Sequence, residues 1–193
     1  MDGNEIEARL MAIKPRSAKN KGKKFQNEIC ADLSLLSDIP WGDDRLIASR
    51  GMGQHGVDII LMGEAFKLFP FSFEVKNQKT WNINDDVSQA IANKKEGSWW
   101  GVIYKTNHKK AILILDKWEF KEILSLETRL KFIDKAHNKE HLKAISLQKW
   151  IYEKKFSDKD VITFVRKNVY CVALKWKTFL KAYKYELKLK GLL

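Results

Sequence analysis

The chain has 193 residues, of which 45% are hydrophobic and 31% are charged, and it carries a formal net charge of +12 at pH 7. These values exclude a disordered chain and leave no room for two large domains. The sequence has no run of the roughly 18 apolar residues that a membrane span requires. Because it also begins without an apolar stretch typical of a signal peptide, we expect a cytoplasmic, intracellular protein with no membrane partner. The positive charge indicates a polyanionic partner, a feature that basic proteins of several classes share.

The first predicted element is a helix over residues 21–36, preceded by a lead-in segment at residues 1–19 that shows no sustained hydrophobic period. Apolar residues recur at helical spacing along 21–36, which predicts a helix packed on a sheet. Glu28 lies at the border of the apolar stripe. The stripe itself consists of Phe25, Ile29, Leu33 and Leu36.

Three short strands are predicted next. Turn-forming Pro and Gly residues are frequent between positions 38 and 56 and favour loops around one strand near residues 45–49. An apolar run at 57–62 and an alternating stretch at 67–76 predict two further strands, which a turn beginning at Gly63 would join as an antiparallel pair. In the alternating stretch, one face carries Phe69, Phe71, Phe73 and Val75, and the other carries Ser72, Glu74 and Lys76.

A helix at residues 82–96 and strands at 101–105 and 111–115 complete the predicted domain, with Asn82 among the candidate helix caps and Gly97 just past the end. This order of elements predicts an α/β domain at residues 20–116, in which helices flank a mixed sheet. Residues 117–193 carry 19 Lys and Arg against nine Asp and Glu, and we expect a basic helical C-terminal region there.

Asp58, Glu74 and Lys76 carry the strongest indication of chemistry. Each acid interrupts an apolar strand, where a carboxylate is costly to bury unless it is paired or binds a metal. Glu74 and Lys76 are two apart on a strand and therefore project from one face. If Asp58 lies on the neighbouring strand, the two carboxylates converge on a site for Mg²⁺ or Mn²⁺, where Lys76 can stabilise charge on a phosphate. An isolated Glu-Val-Lys, by contrast, is usually a solvated strand face.

In their order along the chain, these residues resemble the PD-(D/E)xK nucleases, and within them the Holliday junction resolvase-like branch. The resemblance covers about residues 21–115 and includes segments 21–28, 49–51, 56–60, 73–78, 88–90 and 101–105. Val57 stands where the family has a proline before the aspartate. The resemblance implies a restriction-endonuclease-like fold.

By this resemblance, Asp58 and Glu74 are the expected metal ligands, together with the backbone carbonyl of Val75, and Lys76 is the expected catalytic lysine. Glu28 is expected to face the same centre and to support the metal or its water, although an ordinary exposed helix acid would look the same in the sequence. The expected ion is Mg²⁺, with Mn²⁺ able to substitute.

The resemblance also implies three substrate-binding residues. Ser49 and Arg50 match the family's substrate-contacting loop, where a hydroxyl and a guanidinium group would bind phosphate. Gln89 resembles the glutamine that related nucleases place on the helix after the Glu-x-Lys strand. A turn serine or a solvated helical glutamine would give the same pattern.

The expected activity is therefore Mg²⁺-dependent endonucleolytic hydrolysis of DNA, with branched, Holliday junction-like DNA as the favoured substrate. A homodimer is implied because a junction resolvase must cut two strands. Two alternatives remain open at this point: a nuclease of repair or restriction that cuts duplex or flap DNA, and a DNA-binding protein without catalytic activity.

Three further features of the sequence each allow more than one interpretation. His137 and His141 are four apart and could bind zinc from one face of a helix, but no third ligand is evident. The tryptophans could stack on bases, although core packing is the commoner role. Lysines alternate with apolar residues over 175–190, and this stretch could lie on DNA, on an anionic surface or against a second subunit.

Overall fold

The computed structural model describes residues 3–51, 53–139, 144–153 and 156–193, including side chains except those of residues 3–18, 144–145 and 153. From the N-terminus, the elements are α1 Gly3–Ser37, β1 Ile47–Ser49, β2 Ile59–Leu61, α2 Gly63–Leu68, β3 Phe71–Asn77, α3 Ile83–Ala92, β4 Trp99–Lys105 and β5 Ile112–Asp116. They are followed by α4 Lys117–Ile123, α5 Leu126–Phe132, β6 Lys135–Asn138, α6 Ala144–Glu153, β7 Asp160–Arg166, β8 Val169–Lys175 and α7 Trp176–Leu189.

A six-stranded mixed sheet in the order β3-β4-β5-β8-β7-β6 forms the centre of the fold. Strands β3 and β4 are parallel, with α3 as the crossover between them, whereas β4, β5, β8 and β7 pair antiparallel and β6 joins β7 in parallel. The α/β class and the mixed sheet flanked by helices are therefore as the sequence predicts.

Two apolar layers cover the two faces of this sheet. Helices α1 and α7 pack on one face, over side chains such as Phe73 and Leu113. Helices α3 and α6 pack on the other face, over Val102 and Ile114. Because side chains alternate across a strand, a central strand such as β4 is buried on both faces and reads as an almost continuous apolar run.

The first helix is longer than the sequence predicts. Helix α1 begins at Gly3, so the proposed lead-in of residues 1–19 continues into the same helix from that point, while Met1 and Asp2 lie outside the described residues. The predicted apolar stripe is confirmed: Phe25, Ile29 and Leu33 are all buried against the sheet.

The predicted antiparallel pair of residues 57–62 and 67–76 is wrong. Residues 63–68 form helix α2, and β2 pairs instead with β1, in register Ile47↔Leu61. The reason is that the interval after β2 is long enough for a helical turn, and its residue Ala65 packs in the core, so β3 begins only at Phe71. The separate β1–β2 ribbon nevertheless lies beside β3.

The expected helical C-terminal region contains helices α4 to α7, but it also contains three strands that the sequence analysis did not predict. Strands β6, β7 and β8 come from residues 117–193, and β8 pairs with β5, so this part of the chain completes the sheet. Strands β7 and β8 are rich in β-branched residues, which favour strands. They are joined through Lys167 and Asn168, both at positive φ (46° and 64°), the conformation of a tight hairpin turn.

The remaining predictions on elements hold with shifted ends. The helix predicted at 82–96 is α3, with Asn82 at its N-cap and Gly97 at positive φ beyond its end. His137 lies on strand β6, and its ring pairs with Asp160, so the helical arrangement assumed for a zinc site is absent; His141 lies outside the described residues. Within the described ranges, no helix has the length and apolar character of a membrane span.

Candidate active site

Asp58 reaches strand β3 through its backbone and its side chain. Its amide donates a hydrogen bond of 2.9 Å to the carbonyl of Phe73, and its Oδ2 accepts one of 2.7 Å from the amide of Val75. The predicted convergence of Asp58 with Glu74 and Lys76 is therefore present, although it arises from these bonds rather than from a regular strand pair.

Glu74 projects from β3 on the face opposite Phe73 and Val75, toward α3, and only 1% of its side chain is exposed. Asn93, at the end of α3, donates from Nδ2 to Glu74 Oε1 at 2.8 Å. Lys76 Nζ lies 3.3 Å from Glu74 Oε2. This burial contradicts the reading of Glu-Val-Lys as a solvated face.

The two carboxyl groups influence each other's proton affinity. Burial raises the pKa of Asp58 above its ordinary value, and the Val75 amide and the nearby Lys76 only partly oppose this. Burial likewise raises the pKa of Glu74, and the negative charge of Asp58 raises it further against the opposing effects of Asn93 and Lys76. Two carboxylates that disfavour joint ionisation form a centre that a divalent cation would stabilise.

Lys76 is oriented by acceptors from helix α3 as well as by Glu74. Its Nζ donates to Gln89 Oε1 at 2.9 Å and lies 3.7 Å from Asp86 Oδ1. Asp86 is itself held from the other side, because its Oδ2 accepts hydrogen bonds from the Tyr104 hydroxyl at 2.6 Å and from the Gln78 amide at 3.1 Å. The ammonium group is thus fixed at the end of β3.

Gln26 on α1 closes the site from the other side. Its Nε2 donates to Asp58 Oδ1 at 2.9 Å, while its Oε1 is buried and has no hydrogen-bond partner among the described residues. A buried oxygen without a donor is costly unless water or a cation supplies the missing contact. The hard oxygen donors and this unpartnered amide oxygen fit a hydrated Mg²⁺ or Mn²⁺ ion.

The structure does not bring Glu28 to this centre. Its carboxylate forms an ion pair with Lys105 at the end of β4, and its side chain is 43% exposed. Successive helix residues are 100° apart, so Gln26 and Glu28 point in nearly opposite directions. Because Gln26 contacts Asp58, Glu28 extends from another side of α1, where it pairs with Lys105, and its support of a metal or its water stays a prediction.

Ser49 and Arg50 are engaged in holding their loop. The Ser49 hydroxyl accepts from Lys23 Nζ at 2.6 Å and donates to Asn27 Oδ1 at 2.7 Å. The guanidinium of Arg50 donates to the carbonyl of Val57 at 2.6 Å. These bonds fix the loop that leads into Asp58, and a contact with substrate remains a prediction for both residues.

Sequence reasoning missed the polar residues that surround the carboxylates. Asp86, Gln89 and Asn93 occupy positions i, i+3 and i+7 of one helix face, and only Gln89 was predicted. Lys23, Gln26 and Asn27 form a similar stripe on α1. A search for polar stripes at helical spacing beside the apolar one would have found both sets.

No family model, no curated protein and no solved structure matches the chain. No group of three or more His, Cys, Asp or Glu side chains arranged for a metal occurs in the described part of the chain. The residues that could hold a divalent cation at this centre are Asp58, Glu74 and the carbonyl of Val75, with water completing the coordination.

Proposed function

We propose that this protein is a metal-dependent DNA endonuclease with a restriction-endonuclease-like domain. The observation that carries the proposal is the meeting of the half-buried carboxyl group of Asp58 and the buried carboxyl group of Glu74 with the oriented ammonium group of Lys76. Carboxyl groups with shifted pKa values beside an oriented ammonium group are typical of catalytic centres. The order α1, β1, β2, α2, β3, α3, β4, with Asp58 just before β2 and Glu74 and Lys76 on β3, supports the likeness to the PD-(D/E)xK nucleases.

Asp58 and Glu74 would hold Mg²⁺, with Mn²⁺ as a substitute, and the carbonyl of Val75 would complete the protein ligands. When bound, the ion supplies charge stabilisation on the phosphate and promotes deprotonation of the attacking water. Lys76 places a positive charge where negative charge develops on the phosphate during the reaction. Gln89 and Asp86 orient Lys76, so the charge is in position before the substrate arrives.

DNA as the substrate is supported by the net charge of +12, since lysines gain affinity by releasing counterions from phosphates. The preference for branched DNA, the homodimer and a site of action at the intracellular DNA rest on the family resemblance. Substrate preference and oligomeric state can each be measured independently of whether the protein cleaves DNA.

The test is a cleavage panel with labelled four-way junction, flap, duplex and single-stranded DNA in Mg²⁺. The wild type should cut at least one substrate, while Glu74→Ala and Lys76→Ala should fold and bind DNA without cutting. Size-exclusion chromatography with light scattering tests the homodimer. Cleavage at the full rate by either variant would contradict the proposed centre.

The alternatives correspond to other outcomes of the same panel. Preferential cutting of duplex or flap DNA would indicate a repair or restriction nuclease with the same chemistry. Salt-sensitive binding with no cutting in Mg²⁺, Mn²⁺ or Ca²⁺ would indicate a DNA-binding protein in which the carboxyl pair is structural.

A further inference from the structure

A cavity of about 260 Å³ lies between α1, the β4–β5 loop and the start of α7, and its α1 residues Phe25 and Glu28 lie on either side in sequence of Gln26, which contacts Asp58. Phe25 and Trp176 form part of its wall. Five lysines also line it, against three acids, so the lining carries a net positive charge; these lysines are Lys105, Lys109, Lys110, Lys175 and Lys177. A concave site with this charge is suited to an anion.

The cavity lies at the same end of the sheet as the proposed catalytic lysine. Lys76 and Lys105 are near the ends of the parallel strands β3 and β4, and Asn77 is paired with Lys105. On the far side of β4, the start of β5 is paired with the end of β8 through Ile112 and Lys175. Lys105 is thus one strand away from Asn77, the residue after Lys76, but its side chain lies on the α1 face, over Phe25, whereas Lys76 points to Gln89 on the α3 face.

The acids of the cavity hold its lysines in place without neutralising all of them. Asp158 Oδ1 accepts from Lys175 at 2.7 Å and from Lys110 at 3.0 Å, and these contacts lower the pKa of Asp158. Lys177 pairs with Asp32. The side chains of Lys110 and Asp158 are 69% and 60% exposed, and exposed ion pairs of this kind are weak, so an incoming phosphate can replace Asp158 as the partner of Lys110.

We propose that this cavity binds an internal backbone phosphate of the DNA strand that runs past Asp58, Glu74 and Lys76. This assignment deepens the proposed function and rests on it. Lys110 and Lys177, whose side chains are 69% and 68% exposed, reach the phosphate, while the less exposed Lys175 sets the positive potential of the wall.

The test measures DNA binding by fluorescence anisotropy in EDTA, so that no cleavage occurs, over a series of salt concentrations. The probe is a labelled duplex without terminal phosphates. Lys110→Gln/Lys177→Gln should weaken binding and reduce the slope of log K against log salt by about 0.9 for each phosphate that is no longer neutralised. The control Lys67→Gln/Lys121→Gln removes the same charge from exposed positions in the helices before β3 and after β5, at the other end of these strands. It should change the slope by less than half as much.

Asp158→Asn provides a variant with the opposite expected sign. It removes the competing acid from Lys110 and Lys175, so DNA binding should become tighter and the slope steeper. A folding defect would weaken binding in both variants, whereas the proposal requires opposite changes. An unchanged slope in Lys110→Gln/Lys177→Gln, a loss equal to that of the control, or weaker binding by Asp158→Asn would overturn it.

Two further arms separate the remaining sources of failure. The same titration with a 5′-phosphorylated duplex tests for a terminal phosphate: a slope loss seen only with this probe would overturn the assignment to an internal phosphate. Wild-type cleavage is measured separately in Mg²⁺. If it is absent while the slopes change as expected, the proposed nuclease function fails and the phosphate cavity stands; the reverse result rejects the cavity alone.

Discussion

The carboxylate of Asp58 accepts a hydrogen bond of 2.7 Å from the backbone amide of Val75, the residue between Glu74 and Lys76. This bond fixes the Asp58 side chain to the strand that carries the other two residues. Metal-site geometry tolerates little displacement of its ligands, so the bond provides the preorganisation that the proposed chemistry requires.

The stability of the metal-free protein should fall as the pH rises above the ordinary carboxyl pKa values. In the folded state, burial raises the pKa of Asp58 above 3.8. Burial and the negative charge of Asp58 raise the pKa of Glu74 above 4.5. The folded protein then holds protons that the unfolded chain has released, so this contribution is complete below the ordinary values and is lost as the pH rises through the raised ones. Urea denaturation in EDTA at a series of pH values measures the effect.

The double variant Asp58→Asn/Glu74→Gln removes these titrations and should flatten this part of the stability profile. Mg²⁺ should stabilise the wild type near neutral pH, because it binds the folded state, and should leave the double variant unaffected. An equal dependence of stability on pH in both proteins would contradict the raised pKa values of Asp58 and Glu74.

Asn93→Ala should weaken metal use by the proposed enzyme. Asn93 donates to Glu74 Oε1 at 2.8 Å, and its loss raises the pKa of Glu74 further and frees the carboxylate to rotate. The Mg²⁺ concentration for half-maximal cleavage should rise by about 10-fold or more, as for other residues that orient metal ligands. The control is Asn82→Ala, at the exposed N-terminal end of the same helix, which should leave it unchanged.

Asp86→Asn should lower the cleavage rate with little effect on folding. The variant keeps an oxygen that accepts from the Tyr104 hydroxyl, but it removes the negative charge that lies 3.7 Å from Lys76 Nζ. We expect kcat to fall by about 10-fold to 100-fold and the KM for DNA to change less. Asp85→Asn, an exposed neighbour on α3, is the matched control; an equal loss there would indicate a general effect of charge.

Gln26→Ala and Glu28→Gln should differ sharply in cleavage. Gln26 contacts Asp58, so its removal should slow cleavage by about 10-fold or more. Glu28 pairs with Lys105, so Glu28→Gln should change the rate at saturating DNA by no more than about threefold, as expected for a surface substitution. Single-turnover cleavage compares the two, and a larger loss in Glu28→Gln would restore Glu28 to the centre.

Gly101→Ala should destabilise the strand beside the proposed centre. An added Cβ would lie 3.0 Å from the ring of Phe73 and 3.1 Å from Leu113, and both side chains are closely packed in the core. The free energy of unfolding should fall by about 1–3 kcal/mol in urea denaturation. In contrast, a Cβ added at Gly22 in α1 has no atom within 4 Å, so Gly22→Ala should raise the free energy of unfolding by about 0.5–1 kcal/mol.

The local part of the candidate site was open to prediction because alternation along a strand is a short-range rule. Glu74 and Lys76 must share a face wherever β3 lies, and Val75 between them must point to the other face, as Phe73 does. The apolar stripe of α1 and the extents of β4 and β5 follow from similarly local patterns. The N-terminal part of the fold was therefore predicted with most elements in their right order.

The elements that were missed depend on contacts between distant residues. Residues 63–68 have no strong pattern of their own and become helical where Ala65 packs in the core. The turn at Lys167 and Asn168 lacks the Asn-Gly signal of a hairpin, so strands β7 and β8 were taken for helix. The place of β8 in the sheet is decided by its pairing with β5, which is distant along the chain, and β7 is placed by its pairing with β8.

Periodicity and composition are local properties, so the α/β class, the shared face of Glu74 and Lys76 and the basic charge could be predicted from the sequence. Contacts between distant residues appear only in the folded chain: Asp58 is bound to β3 beside Glu74, Gln26 contacts Asp58, and Asp86 and Asn93 complete the surroundings of Lys76 and Glu74. Those contacts depend on how helices α1 and α3 are rotated against β3. Packing of the whole apolar core sets that rotation.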